Sequence, residues 1–142
     1  MKLGEQFKKD VVTVLPDATI RRVAFSMRDR GVGAIVVVNE KGKPVGIVTD
    51  RDVALALAVD EKDPDTPVRE IMPGELITIG ENEGIFNATQ YIFGYQVRRL
   101  PIVDSDGKLV GIVTMDDLLS LLTRELHNLT EGAVQPVLVT AE

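Results

Sequence analysis

Gly46-Ile47-Val48-Thr49-Asp50-Arg51-Asp52 returns as Gly111-Ile112-Val113-Thr114-Met115-Asp116-Asp117, 65 residues further along and with no gap on either side. In each copy an apolar, β-branched run stops at a threonine, and a carboxylate stands three residues beyond it. Such a pattern predicts a short strand feeding directly into a helix. Two copies imply two pseudo-equivalent sites.

The same displacement carries Leu3-Gly4-Glu5-Gln6-Phe7 onto Val68-Arg69-Glu70-Ile71-Met72, Val12-Thr13-Val14 onto Ile77-Thr78-Ile79, and Gly42-Lys43 onto Gly107-Lys108. The repeat therefore spans 3–57 and 68–122, with a linker at 58–67 and a tail at 130–142. A long unit present only twice does not suit an open solenoid, which needs roughly three or more copies. A closed pseudo-dimer is expected. At 142 residues and 44% hydrophobic content the chain can bury a core of that size, whereas each half alone would be marginal. The contact between halves should then belong to the core.

Within repeat one, Val11–Leu15 reads as a strand closed by Pro16-Asp17. Asp17 is placed to cap a helix whose apolar face is Ile20, Val23, Ala24 and Met27. Gly31-Val32-Gly33 ends it. Ala34–Val38 and Val45–Val48 follow as a hairpin around Asn39–Pro44, and Thr49 opens a second helix over 53–59. Repeat two reads alike: strand 76–79, helix 84–94, strands 100–103 and 110–113, and a longer helix from Met115 to about Leu129. Gly132 is expected to break that helix, and Val134–Val139 could be an extended tail, docked or free.

Composition excludes several functions. No cysteine is present, so disulfides and thiolate chemistry are absent. The net charge of −6 repels nucleic acid, and no basic stripe offsets it. No apolar run reaches membrane-span length and no signal-peptide layout is evident, so a cytoplasmic protein is the default. His127, the lone histidine, suits a helix end better than a metal. Ser26, Ser105 and Ser120 have no histidine in a suitable context, which leaves a nucleophile and base unsupported. Asp50, Asp52, Asp116 and Asp117 stand where acids collect at helix N-termini, and capping explains them without a metal.

Thr49 with Asp52, and Thr114 with Asp117, form capping boxes on the simplest reading: the threonine oxygen accepts from the backbone, and the acid reaches back. That role requires no ligand. An ionised carboxylate is also an acceptor with two oxygens, suited to a cis-diol, and charge assistance strengthens such bonds.

The strand-helix-strand-strand-helix order, the in-register duplication and the Gly-Ile-Val-Thr-x-x-Asp segment together resemble the cystathionine-β-synthase (CBS) domain over nearly the whole chain. The resemblance implies an α/β fold of two β-α-β-β-α units packed sheet to sheet, the tandem pair called a Bateman module. It implies a stand-alone, non-enzymatic sensor with no required cofactor. Its regulatory ligand would be an adenine nucleotide such as AMP, ADP or ATP, held between the repeats. A homodimer through the helices and a regulated enzyme or transporter as partner are also implied, with a ligand-free assembly module as the alternative.

Carried over residue by residue, the resemblance puts a ribose on each Thr/Asp pair. The first cleft would join Thr114 and Asp117 to Phe7, Val12 and Val32. The second would join Thr49, Arg51 and Asp52 to Met72, Ile77 and Val97. Basic residues before the second strand of a repeat reach phosphates in the family. Repeat two has Arg98-Arg99 there and repeat one has Gly33-Ala34. Arg98 and Arg99 are accordingly expected to serve the Thr114/Asp117 cleft, making it the one that favours charged nucleotides.

Overall fold

The structure is a computed structural model and describes residues 1–134. Its elements in chain order are α1 (Leu3–Phe7), β1 (Thr13–Val14), α2 (Ile20–Arg30), β2 (Ala34–Val38), β3 (Pro44–Thr49) and α3 (Asp50–Ala58). After a single 3₁₀ turn at Val68–Glu70 come β4 (Ile79–Gly80), α4 (Ile85–Tyr95), β5 (Arg99–Val103), β6 (Leu109–Thr114) and α5 (Met115–Val134).

The strands form two sheets of three, β1-β2-β3 and β4-β5-β6, each with one parallel and one antiparallel pairing. The duplication persists to the level of register. Val14 pairs with Val37 as Ile79 pairs with Ile102, and a bulge falls after Val37 and after Ile102. The α/β class expected from the sequence is therefore present.

Local chemistry explains the helix ends and corrects two expectations. Thr19, not Asp17, caps α2: its side chain accepts from the Arg22 N–H at 3.0 Å, while Asp17 forms an ion pair with Arg69. Gly31 ends α2 at φ 65°, a left-handed conformation that glycine adopts without a Cβ penalty. Gln96 takes the same conformation after α4, at φ 57°. Gly132 does not stop α5, which runs on to Val134. One exposed glycine costs a helix only about 1 kcal/mol relative to alanine, too little to end it. The extended segment expected at 134–139 otherwise lies outside the described residues.

Two segments without assigned structure in the sequence reading close the core. Leu3, fully buried, belongs to the apolar cluster of the second half with Ile79, Leu100, Ile102 and Val113. Val68, also fully buried, belongs to the cluster of the first half with Ile20, Val23, Ile35 and Val48. Backbone bonds fix the exchange. Leu3 N–H donates to Glu83 O and Gly4 N–H to Glu81 O, matched by Val68 N–H to Ala18 O and Arg69 N–H to Pro16 O. Each half is thus completed by the segment that precedes the other half's first strand. A further bond, Leu109 N–H to Gly42 O, ties the hairpin turns together.

Candidate functional site

Strand β3 delivers Thr49 to the mouth of α3, and the capping box is present in full. Asp52 Oδ2 accepts from the Thr49 backbone N–H at 2.8 Å and from the Thr49 hydroxyl at 2.9 Å, while Asp52 N–H donates to Thr49 Oγ1. One carboxylate oxygen is therefore committed to the helix end. Oδ1 is the oxygen left for a ligand, so the cap holds the side chain in one rotamer and halves the acceptor surface the carboxylate would otherwise offer.

At the second copy, Asp117 Oδ2 accepts from the Thr114 N–H at 3.0 Å and Asp117 N–H donates to Thr114 Oγ1 at 3.0 Å. All four side chains are half-buried. They are held still yet reachable.

A cleft lies over the first pair. It is lined by Ile47, Thr49, Arg51 and Asp52 from repeat one, and by Glu75, Ile77, Val97, Arg98 and Arg99 among others from repeat two. Ile77 and Val97 thus line the same cleft as Thr49, Arg51 and Asp52. Met72 instead lies with its sulfur against Gly46, 2.5 Å from where a Cβ would stand. Ile47, Glu75 and Gln96 also line the cleft and were not anticipated. Ile47 was accessible to reasoning, because residues two apart on a strand share a face.

The arginines stand beside both copies of the motif. Along the backbone they run beside the second copy: Arg99 pairs with Thr114, and Met115 N–H donates to Arg98 O. They also line the cleft of Thr49 and Asp52. The reason is topological. The residues at the start of β5 lie across from the Thr/Asp pair of the opposite repeat, as Val97 does, and the two charges travel with Val97.

Electrostatics follow from this placement. Arg51, Arg98 and Arg99 share the Thr49 cleft with the carboxylates of Asp52 and Glu75, leaving a net positive site. By the 65-residue displacement, the counterparts around Thr114 and Asp117 are Asp116 for Arg51, Asp10 for Glu75, Lys8 for Pro73, and Gly33 and Ala34 for the arginines, a set in which the acids with Asp117 outnumber the one lysine. Those counterparts supply acid and no guanidinium. Phe7 and Val12 flank that side: Phe7 packs on the second-half core and its backbone abuts Gly111. Val12 and Val32 pack on the first-half core.

A family model for the CBS domain matches residues 5–59 and 68–124. The chain belongs to the CBS domain family. It is 45% identical over 108 residues to the CBS domain-containing protein YhcV of Bacillus subtilis, covering 76% of each chain. To an uncharacterized protein of Methanopyrus kandleri it is 41% identical over 122 residues, covering 85% of this chain but only 62% of that protein's length.

Two solved structures share the fold. A CBS domain pair in complex with 5-methylthioadenosine and S-adenosyl-L-methionine superposes with a TM-score of 0.77 at 28% identity, over 88% of this chain and 98% of the other. A CBS domain protein from Pyrobaculum aerophilum complexed with AMP superposes with a TM-score of 0.74 at 28% identity, over 87% and 99%.

Proposed function

We propose that the chain is a non-enzymatic regulatory module that binds adenosine-containing ligands between its CBS repeats, and that the Thr49/Asp52 cleft takes the phosphorylated one. The observation carrying the reading is the convergence of Arg51, Arg98 and Arg99 with Thr49 and Asp52 in one cleft. A guanidinium fork suits phosphate, Asp52 Oδ1 suits a ribose hydroxyl, and Ile77 and Val97 offer apolar walls for a base. Similar CBS pairs that hold AMP, S-adenosylmethionine or methylthioadenosine support the ligand class. The acidic surroundings of Thr114 and Asp117 suit an uncharged or cationic adenosine ligand instead.

The reading includes a homodimer in the cytoplasm and a regulated enzyme or transporter as partner. Ligand binding acts by its differential affinity for two relative dispositions of the repeats or subunits. A thermal-shift series with adenosine, AMP, ATP and S-adenosylmethionine tests it. AMP should raise Tm, since a ligand selective for the native state at about 100 Kd adds about 2.7 kcal/mol. Absence of any shift across the series sinks the reading.

A further inference from the structure

An open cavity of about 510 Å³ lies beside the paired hairpin turns, lined by Lys9, Asp10, Thr13, Arg30, Gly42 and Leu109 among others. It is separate from the Thr114/Asp117 pair: Leu109 begins β6 and Thr114 ends it, about 17 Å apart along the strand. Backbone bonds fix its walls. Lys9 N–H donates to Val110 O at 3.2 Å, Leu109 N–H donates to Gly42 O at 3.0 Å, and Gly31 ends α2 directly after Arg30. Thr13 stands on β1, the outer strand of its sheet. Because Val36 N–H takes the Val12 carbonyl, the Thr13 main chain faces the open edge.

Charge sets this cavity apart. Lys9 and Arg30 are exposed, and neither belongs to an ion pair among the described residues; Asp29, next to Arg30, pairs with Arg28 instead. Asp10 is likewise outside those pairs, so the walls carry two free cations and one free carboxylate. The duplication shows that the fold does not demand the cations. At a displacement of 65 residues, Gly74 and Tyr95 stand in the places of Lys9 and Arg30, while Glu75 and Thr78 keep the acid and the hydroxyl. Two like charges on one cavity repel each other until an anion joins them.

We propose that this cavity binds a sugar phosphate. The Arg30 guanidinium and the Lys9 ammonium donate to the phosphate oxygens, and the guanidinium fork fits two of them at once. Asp10, an acceptor only, takes sugar hydroxyls, and Thr13 adds a hydroxyl that donates or accepts. Inorganic phosphate has no use for Asp10 and is repelled by it, so the hydroxyl-bearing ester is the better fit. A cavity of this size accommodates a pentose or hexose phosphate. The inference goes beyond the adenosine reading and does not rest on it, because none of these residues lines the Thr49 cleft.

Calorimetric titration of the full chain with ribose 5-phosphate tests it, in an Arg98→Ala/Arg99→Ala background that silences phosphate binding at the Thr49 cleft. That background should still bind the ester. Adding Lys9→Ala/Arg30→Ala should weaken binding about tenfold or more. Adding Lys41→Ala/Lys43→Ala instead, which removes the same charge from the neighbouring turn, should change it by less than about threefold at about 0.15 M salt. Asp10→Asn should weaken ribose 5-phosphate and not inorganic phosphate. All five side chains are exposed, so melting should hold in every variant. Absence of binding in the Arg98→Ala/Arg99→Ala background, or equal weakening by the two charge-removing pairs, overturns the site. Asp10→Asn without effect on the ester overturns its sugar half. AMP binding by the wild type is read separately, so neither result bears on the Thr49 cleft.

Discussion

The backbone carbonyl of Phe7 occupies the space that a Cβ on Gly111 would need, with Lys8 Cα only 3.2 Å from the same point. The glycine that opens the repeated motif is thus a docking surface for the segment arriving from the other half. At the first copy the neighbour of Gly46 is the Met72 side chain rather than backbone. A thioether can swing aside more easily than a main chain.

Gly111→Ala should therefore cost more than Gly46→Ala. Overpacking against fixed backbone costs about 2–3 kcal/mol, and against a flexible methionine about 1 kcal/mol. Differential scanning calorimetry should show the larger fall in Tm for Gly111→Ala, and equal falls would contradict the packing described.

Leu3→Ala gives a second test of the exchanged segments. A surface substitution would ordinarily change stability by less than about 0.5 kcal/mol. Leu3 is instead fully buried among Ile79, Leu100 and Val113, so its truncation should cost about 2–5 kcal/mol in chemical denaturation. A change below about 0.5 kcal/mol would place the α1 segment outside the cooperative core.

These exchanged segments mark where sequence reasoning stopped. The alternation of β2 and β3, the turn glycines and the apolar spacing of α2 are local signals, and the sheets follow from them. Leu3–Phe7 and Val68–Met72 show no strong period, and their burial is decided by a partner some 80 residues away for one and 50 for the other. Arg98 and Arg99 illustrate the same limit. Their chemistry was readable, but their position on the Thr49/Asp52 cleft was not, because strand position in sequence does not reveal which repeat lies opposite. The capping boxes were fully legible, since every partner lies within three residues.

Thr49 and Asp52 allow the cap to be separated from the ligand contact. Thr49→Ala removes the cap acceptor and should cost about 1 kcal/mol of stability. Asp52→Asn keeps an acceptor near the Thr49 N–H but removes the charge that strengthens a ribose bond, so Tm should change little while adenosine affinity falls about tenfold. Calorimetric titration beside thermal melts checks both. Matching effects of the two variants on stability and affinity would mean that Asp52 serves the helix alone.

Arg98→Ala with Arg99→Ala should discriminate between phosphate and nucleoside. Each charge-assisted bond to a phosphate contributes about 1.5–3 kcal/mol, or roughly 10- to 100-fold in affinity. AMP binding at the Thr49 cleft should weaken by at least that factor, while adenosine, which offers no phosphate, should change by less than about threefold. Arg98 is exposed and Arg99 only half-buried, so the fold should tolerate the loss. The competing placement beside Thr114 and Asp117 makes a different prediction: Asp117→Asn, and not Asp52→Asn, would then combine non-additively with the arginine pair in a double-mutant cycle. Coupling of the arginines to Asp52 supports the cleft described here, and coupling to Asp117 alone would return them to the other.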